Sequence, residues 1–123
     1  NLVWEDMVGH YLNNHFKSVD DENKMVFDIN NFNSKATFSK KSFNVDKSDN
    51  QYTIEPDHHF IDDKKQYIFD AKYFENLTSL NYKQYSYHEM LKSKIKDNNT
   101  VSALILPSEN HNSTEIHFIL SDE

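Results

Sequence analysis

Several residue types that usually identify a protein class are scarce in this chain: it has no cysteine, one glycine and two prolines in 123 residues. Without cysteine there can be no disulfide and no thiolate metal site, and a reducing, cytoplasmic location is the simplest interpretation. The single glycine excludes a glycine-rich phosphate-binding loop. No apolar run approaches the roughly 20 residues that cross a bilayer, and no stretch resembles a signal peptide, so we expect no membrane partner.

Positive charge is also in short supply, since 13 basic residues face 20 acidic ones and the net charge is −7. Phosphate contacts supply most of the non-specific affinity of proteins for nucleic acid, so we do not expect this chain to bind DNA strongly by itself. Carboxylates that hold a cation count as negative only while the metal is left out of the sum. Chemistry on DNA is therefore not excluded, provided that another domain or subunit supplies affinity.

The length predicts one domain over residues 1–123, with residues 17–49 as a variable polar insertion. The insertion has weak strand signals at residues 25–29, 36–38 and 42–45, and its Asn, Ser and Lys bias is typical of a mobile region. Because the sequence begins with Asn1 and not with methionine, we expect it to be part of a longer chain.

Hydrophobic periodicity predicts an α/β fold of two helices and at least four strands. The helices are expected over residues 2–16 and 80–96, and the strands over residues 52–61, 66–74, 101–106 and 115–120. Residues 101–106 are almost entirely apolar, which is typical of a buried inner strand, and the last strand is expected at an edge. The apolar arc of the first helix comprises Trp4, Met7, Val8, Tyr11, Leu12 and Phe16.

A hairpin is predicted around the charged run Asp62 to Lys65, which suits a four-residue turn between two strand-forming segments. If the turn is symmetric, Asp57 lies directly across from Asp70, with Cβ atoms about 4.5–5.5 Å apart. Lys72 follows Asp70 by two residues and projects from the same face. A divalent cation would relieve the repulsion between the two acids, and the lysine could orient or deprotonate a water for attack on a phosphodiester.

Two further polar residues fall within otherwise apolar helix faces. Glu5 lies inside the arc of the first helix, where a carboxylate needs a partner unless its stem packs and its head reaches water. Gln84 lies within the predicted stripe of the second helix, which is formed by Leu80, Tyr87, Leu91 and Ile95. Each of these polar residues is therefore a candidate for a site and, equally, for a structural role.

The set Pro56-Asp57, Asp70-x-Lys72, Glu5 and Gln84 resembles the pattern of the PD-(D/E)xK nuclease superfamily. The segment IFDAKY at residues 68–73 and the helix at residues 83–91 are similar to the nuclease subunits of McrC- and LlaJI-type restriction systems. The resemblance covers most of the chain except the insertion. It implies a restriction-endonuclease-like core, in which a helix, a three-stranded meander, a second helix and a strand form a mixed central sheet flanked by helices.

The resemblance also implies an activity, that of a Mg²⁺- or Mn²⁺-dependent DNA endonuclease serving as the cleavage module of a restriction system. The implied metal ligands are Asp57, Asp70, the backbone carbonyl of Ala71 and Glu5. Lys72 would position the attacking water and stabilise charge on the phosphate, and Gln84 would fix the geometry or contact DNA. The implied partners are DNA, a partner NTPase or DNA-recognition subunit, and a second copy of the chain.

Other interpretations remain open from the residues alone. The acids could be solvated strand residues, with Lys72 paired to Asp70, in a non-catalytic DNA-binding or assembly module that keeps the nuclease fold. A resolvase, a transposon end-cleaving enzyme or a repair nuclease of the same superfamily is also compatible. His58 and His59 depart from the superfamily, where apolar residues follow Pro-Asp, and His59 shares a face with Asp57. A zinc site at His59 is therefore an alternative, but no second His or Cys pair has zinc-ligand spacing. Tyr87 and His88 are looser candidates for the nuclease site, and Glu55, which shares a face with Asp57, is a spare candidate ligand.

Overall fold

The computed structural model describes residues 2–22, 24–30, 35–44, 53–62, 65–72, 77–95, 99–106 and 116–121. Its elements are α1 (Leu2–His15), β1 (Phe16–Val19), β2 (Met25–Phe27), β3 (Phe43–Asn44), β4 (Thr53–Ile54), β5 (His58–Asp62), β6 (Lys65–Ala71), α2 (Leu77–Leu91), β7 (Thr100–Ile105) and β8 (Ile116–Ser121), with a 3₁₀ turn at Lys92–Lys94. The protein is thus a mixed α/β structure. Neither α1 nor α2, the helices within these ranges, is both long and apolar enough to cross a membrane.

The central sheet has the strand order β5-β6-β7-β8. β5 and β6 form an antiparallel hairpin, β6 and β7 run parallel, and β7 and β8 are antiparallel. A parallel pair needs a long crossover, and α2 provides it between β6 and β7. Every residue of β7 is buried, as expected of the apolar run predicted to be an inner strand, and β8 takes the predicted edge position.

The two helices cover opposite faces of this sheet because successive side chains of β6 alternate. Tyr67 and Phe69 belong to the larger core, which includes Val8 and Leu12 of α1. Ile68 belongs to the smaller core, with residues Tyr87 and Leu91 of α2. Asp70 has the parity of Ile68 and therefore belongs to the α2 side of the sheet.

The predicted helices are longer and more buried than the observed ones. α1 ends at His15, and Phe16 is buried as the first residue of β1. Met7 is 59% exposed and Tyr11 45% exposed, so both predictions of burial are wrong. Both residues line a groove of about 260 Å³, together with Phe27. They are exposed because α1 contacts the sheet along a line that is narrower than its apolar arc.

The second helix also ends early. α2 stops at Leu91, and a 3₁₀ turn over Lys92–Lys94 leads to Ile95, which is buried in an extended conformation. The predicted helix over residues 80–96 therefore mixes a helix with the start of the loop that follows. The side chain of Leu80 lies outside the described residues.

Part of the predicted insertion at residues 17–49 packs into the core of the domain. Ala36 and Phe38 are buried in the larger core. Asn13 of α1 holds Phe38 through two hydrogen bonds, donating Nδ2–H to its carbonyl at 3.2 Å and accepting its N–H at 2.7 Å. Ser39 and His59 exchange backbone hydrogen bonds of 3.0 and 2.9 Å. Residues 35–40 are therefore packed against the hairpin as part of the domain.

The three-stranded meander implied by the resemblance is absent from the described part of the chain. β4 pairs with β3 in a separate small sheet, and the central sheet begins at β5. The break falls at Pro56, which is buried and has no N–H to donate to a ladder. Asp62 pairs with Lys65, as expected for a four-residue turn over Asp62 to Lys65, and the two central residues lie outside the described residues.

Candidate functional site

The hairpin register places the two aspartates at the same end of the sheet. His58 pairs with Phe69, and one further step brings Asp57 opposite Asp70. Each carboxylate takes up a backbone donor of the facing segment. The N–H of Asp57 donates to Asp70 Oδ1 at 2.9 Å, and the N–H of Ala71 donates to Asp57 Oδ2 at 3.2 Å. These two bonds join the two segments one residue beyond the last strand pair of the hairpin. Because side chains replace the next backbone acceptors, the acids help to end the sheet here.

Glu5 reaches this end of the sheet from α1, which accounts for its position inside an otherwise apolar arc. Its side chain is 18% exposed. A hydrogen bond with the carboxyl group of Asp57 raises the pKa of Glu5, and burial and the negative charge of Asp57 raise it further, while Lys40 lowers it. Two carboxyl groups can share a hydrogen bond only by holding a proton. Glu5 and Asp57, the acid pair hereafter, therefore crowd negative charge into one place.

Asp70 is the most buried of the three acids, with 1% of its surface exposed. Burial raises the pKa of Asp70, while the N–H of Asp57 and the positive charges of Lys83 and Lys72 lower it. Lys72 is half-buried just after β6, and its own N–H donates to the carbonyl of Ile105 at 3.0 Å. The predicted lysine thus lies close enough for its charge to act on Asp70.

Two lysines that the sequence analysis missed also belong to this neighbourhood. The Nζ of Lys40 lies 3.8 Å from Glu5 Oε1 and 3.9 Å from Asp57 Oδ1. No local pattern links Lys40 to these acids, since it comes from the insertion. Lys83 lies on α2 with its Nζ 5.4 Å from the ring centre of Tyr87. Lys83 and Tyr87 are four residues apart and therefore lie on one face of α2. This spacing is the sequence signal that could have identified Lys83.

Gln84 is fully buried between α2 and the sheet. Its Nε2 donates to the carbonyl of Ile68 at 2.8 Å, and its Oε1 has no hydrogen-bond partner in the described ranges. The amide is therefore bonded to backbone. This contact is the structural one of the two roles that the sequence left open for Gln84. Ile68 is two residues from Asp70, so Gln84 braces the strand that carries the acid.

The looser candidates have structural partners. Tyr87 is buried. Burial raises the pKa of Tyr87, the negative charge of Asp70 raises it further, and a hydrogen bond from the backbone of Glu55 lowers it. The carboxylate of Glu55 accepts a hydrogen bond from the hydroxyl of Ser42. His88 shares a hydrogen bond of 2.8 Å between its Nδ1 and Ser102 Oγ. None of these contacts points to a ligand.

The zinc alternative finds no support in the surroundings of His59. Its Nε2 lies 2.7 Å from Gln66 Oε1. Gln66 Nε2 in turn donates to the carbonyl of Leu91 and to Thr100 Oγ1. Since the amide oxygen of Gln66 must accept, His59 donates from Nε2, and that nitrogen has no lone pair left for a metal. His59 is thus part of a buried polar layer beneath α2.

His58 lines the pocket next to the acid pair. Together with Glu5, Asp57 and Lys40 it lines a pocket of about 240 Å³. His58 is 6% exposed, and its Nε2 has no hydrogen-bond partner among the described residues. A Cβ on Gly9 would lie 3.1 Å from His58 Cε1, so a glycine at this position of α1 lets the imidazole approach the helix. The sequence marks this histidine only as a departure from the superfamily pattern, in which apolar residues follow Pro-Asp.

The burial of His58 predicts a pH dependence of stability. Burial lowers the pKa of His58 from 6.5 to about 4, so the unfolded chain binds more protons than the folded protein between these values. The stability that depends on neutral His58 is fully present above pH 6.5 and is lost as the pH falls towards 4, by up to about 3 kcal/mol.

Urea denaturation of the wild type and of His58→Gln across this pH range measures the effect. We expect the free energy of unfolding of the variant to fall less steeply with decreasing pH. The matched control is His10→Gln on the exposed side of α1, which should keep the wild-type slope. Equal slopes for the wild type and His58→Gln would contradict the prediction.

The number and type of the acidic side chains decide which metal ion they fit. Among the described residues, no three His, Asp or Glu side chains are arranged to hold one metal ion. Mg²⁺ usually keeps several waters and takes only one or two protein carboxylates, so the acid pair with its crowded charge fits Mg²⁺ or Mn²⁺. The same set does not fit zinc, which prefers four nitrogen or sulfur ligands.

Comparisons with known proteins yielded no relative: no protein-family model, no curated protein and no solved structure matches the chain. The function therefore has to be inferred from the geometry and chemistry of the site.

Proposed function

We propose that the chain is a metal-dependent DNA endonuclease domain with a restriction-endonuclease-like core, acting as the cleavage module of a restriction system. The observation that carries the proposal is the gathering of Glu5, Asp57 and Asp70 at one end of the hairpin, with Lys72 two residues after Asp70. Three acids with little solvent access cost stability unless a cation balances them. Their arrangement supports a site built for binding a cation beside a phosphate.

Each residue has a role in the proposed mechanism. Glu5 and Asp57 would hold Mg²⁺ or Mn²⁺ directly, and Asp70 and the carbonyl of Ala71 would hold it through bound water, since no three side chains of the described residues are arranged for direct ligation. The ion would supply polarisation of the scissile phosphate and a lower pKa for a bound water. Lys72 would orient the attacking water and stabilise the negative charge that develops on the phosphate.

The rest of the domain would support this chemistry. Gln84 keeps the strand of Asp70 in place through its bond to the carbonyl of Ile68. Lys83 adds positive charge close enough to Asp70 to lower the pKa of that acid. Because the net charge is −7, a recognition subunit, a partner NTPase or a second copy would supply much of the DNA affinity.

Cleavage of plasmid DNA with Mg²⁺ or Mn²⁺ tests the proposal. Lys72→Met is expected to lower the cleavage rate by about 10²-fold, because a positive charge at the transition state is removed. Lys17→Met changes an exposed lysine of β1 and should leave the rate unchanged. Equal cleavage by the wild type and Lys72→Met, purified in the same way, would contradict the proposal.

A second candidate is a non-catalytic DNA-binding or assembly module. It is favoured by the fact that both aspartates already bond backbone N–H groups and that Lys40 lies beside the acid pair. Such a module need not bind Mn²⁺, and its Asp57→Asn variant should retain DNA binding. If cleavage is found, assays on duplex, methylated, branched and single-stranded DNA would separate a restriction nuclease from a repair or recombination nuclease.

A further inference from the structure

Lys40 occupies the position next to the acid pair that a cation would take. Its Nζ is 3.8 Å from Glu5 Oε1 and 3.9 Å from Asp57 Oδ1. These distances are longer than hydrogen bonds and correspond to a loose ion pair with both acids at once. The side chain of Lys40 is 48% exposed, whereas the side chains of Glu5 and Asp57 are 18% and 9% exposed. The ammonium therefore caps the pair from the solvent side.

The backbone that carries Lys40 is held in place on both sides. Asn13 of α1 bonds both the N–H and the carbonyl of Phe38. Ser39, the neighbour of Lys40, exchanges two backbone bonds with His59 of β5. Phe38 itself is buried in the core. The backbone thus places the base of the lysine beside the acid pair, while its long side chain stays about half exposed to solvent.

The pocket beside the pair holds a polar group that lacks a partner. His58, 6% exposed, lines the same pocket of about 240 Å³ as Glu5, Asp57 and Lys40. Its buried Nε2 has no hydrogen-bond partner among the described residues. An unpaired buried imidazole nitrogen is costly, and this nitrogen is shielded from solvent although its residue lines the pocket. A polar ligand that reached Nε2 would remove this cost, which is an argument for a ligand that is separate from the acids.

We propose that Lys40 is the internal counter-ion of the Glu5–Asp57 pair and that a divalent cation replaces it at the same carboxylate oxygens. The inference rests on the proposed function, because it concerns the metal site of the nuclease. A cation that coordinates these oxygens at about 2.0–2.2 Å repels an ammonium held beside them, so the two cannot share the pair. The displaced ammonium, on its exposed side chain, is then free to meet a DNA phosphate.

Binding of Mn²⁺ alone to the full chain tests the replacement without any substrate. Free Mn²⁺ is measured by electron paramagnetic resonance at low salt for the wild type, Lys40→Met, Lys40→Gln and Lys40→Arg. Removing the competing charge should make Lys40→Met and Lys40→Gln bind Mn²⁺ about five-fold more tightly than the wild type. Lys40→Arg should stay close to the wild type.

The matched control is Lys41→Met, since Lys41 is the exposed neighbour and lies over the ring of Phe43 instead of the acids. It should bind Mn²⁺ with wild-type affinity, and circular dichroism checks that every variant folds. Wild-type binding with no gain in the two neutral variants overturns the replacement and leaves the nuclease proposal standing. A gain without cleavage of DNA supports the replacement and overturns the nuclease. Absence of Mn²⁺ binding in all variants overturns both.

Discussion

Asp70→Asn is expected to abolish metal-dependent DNA cleavage, by about 10³-fold or more, while the domain stays folded. The asparagine carbonyl can still accept the N–H of Asp57, which Asp70 Oδ1 accepts at 2.9 Å. What the variant loses is the negative charge that holds the metal. Because burial raises the pKa of Asp70, the ionised carboxylate costs stability at neutral pH, and the neutral amide avoids this cost. Activity should therefore fall while stability is kept or gained.

Paired measurements of plasmid cleavage and urea denaturation check this expectation. Asp62→Asn removes an exposed carboxylate from the same hairpin and should leave both quantities unchanged. Asp70→Ala, by contrast, should lose activity and also about 1–3 kcal/mol of stability, because the N–H of Asp57 is left without its acceptor. Normal cleavage by Asp70→Asn would remove the main support for the nuclease and favour the binding module.

Phe38→Ala is expected to destabilise the domain by about 3–5 kcal/mol. The ring of Phe38 is buried and lies 5.1 Å from Phe16, 5.1 Å from Phe60 and 5.3 Å from Phe69, measured between ring centres. Its removal leaves a cavity at the point where the insertion meets both α1 and the hairpin. Small domains have about 5–15 kcal/mol in total, so the variant should be unfolded in part at physiological temperature.

Thermal and urea denaturation measure the loss. Ile29→Ala is the matched control, since Ile29 is a large apolar residue of the same predicted insertion that is 63% exposed. It should change stability by less than about 0.5 kcal/mol. If Phe38→Ala were as mild as Ile29→Ala, residues 35–40 would contribute little to the stability of the domain. The position of Lys40 beside the acid pair would then lose its structural basis.

Much of the fold could be predicted because it follows from local patterns. The apolar run at 101–106 indicated a buried inner strand, and β7 is buried throughout. The register of the hairpin was also predictable: Asp62 pairs with Lys65 across the expected turn, and the same symmetry brings Asp57 opposite Asp70. Symmetry about a turn depends only on residues close in sequence, which is why this part of the candidate site was within reach.

Other features depended on packing between distant segments. Periodicity placed Met7 and Tyr11 among the buried residues of α1, but both are exposed because the helix contacts the sheet along a narrow line. Composition marked residues 17–49 as a peripheral insertion, but Phe38 of that segment is in the core. Polar composition predicts exposure on average and does not reveal which few apolar residues of a segment are anchors.

The sequence by itself determined the α/β class, the inner strand and the pairing of the two aspartates, because helix and strand periods and a hairpin's symmetry are short-range properties. Only the tertiary structure decided that Lys40 lies against Glu5 and Asp57, and that His58 is a buried wall of their pocket with its pKa lowered to about 4. Charge interactions and desolvation depend on distances of a few ångströms between segments far apart in the chain, and those distances are set by packing.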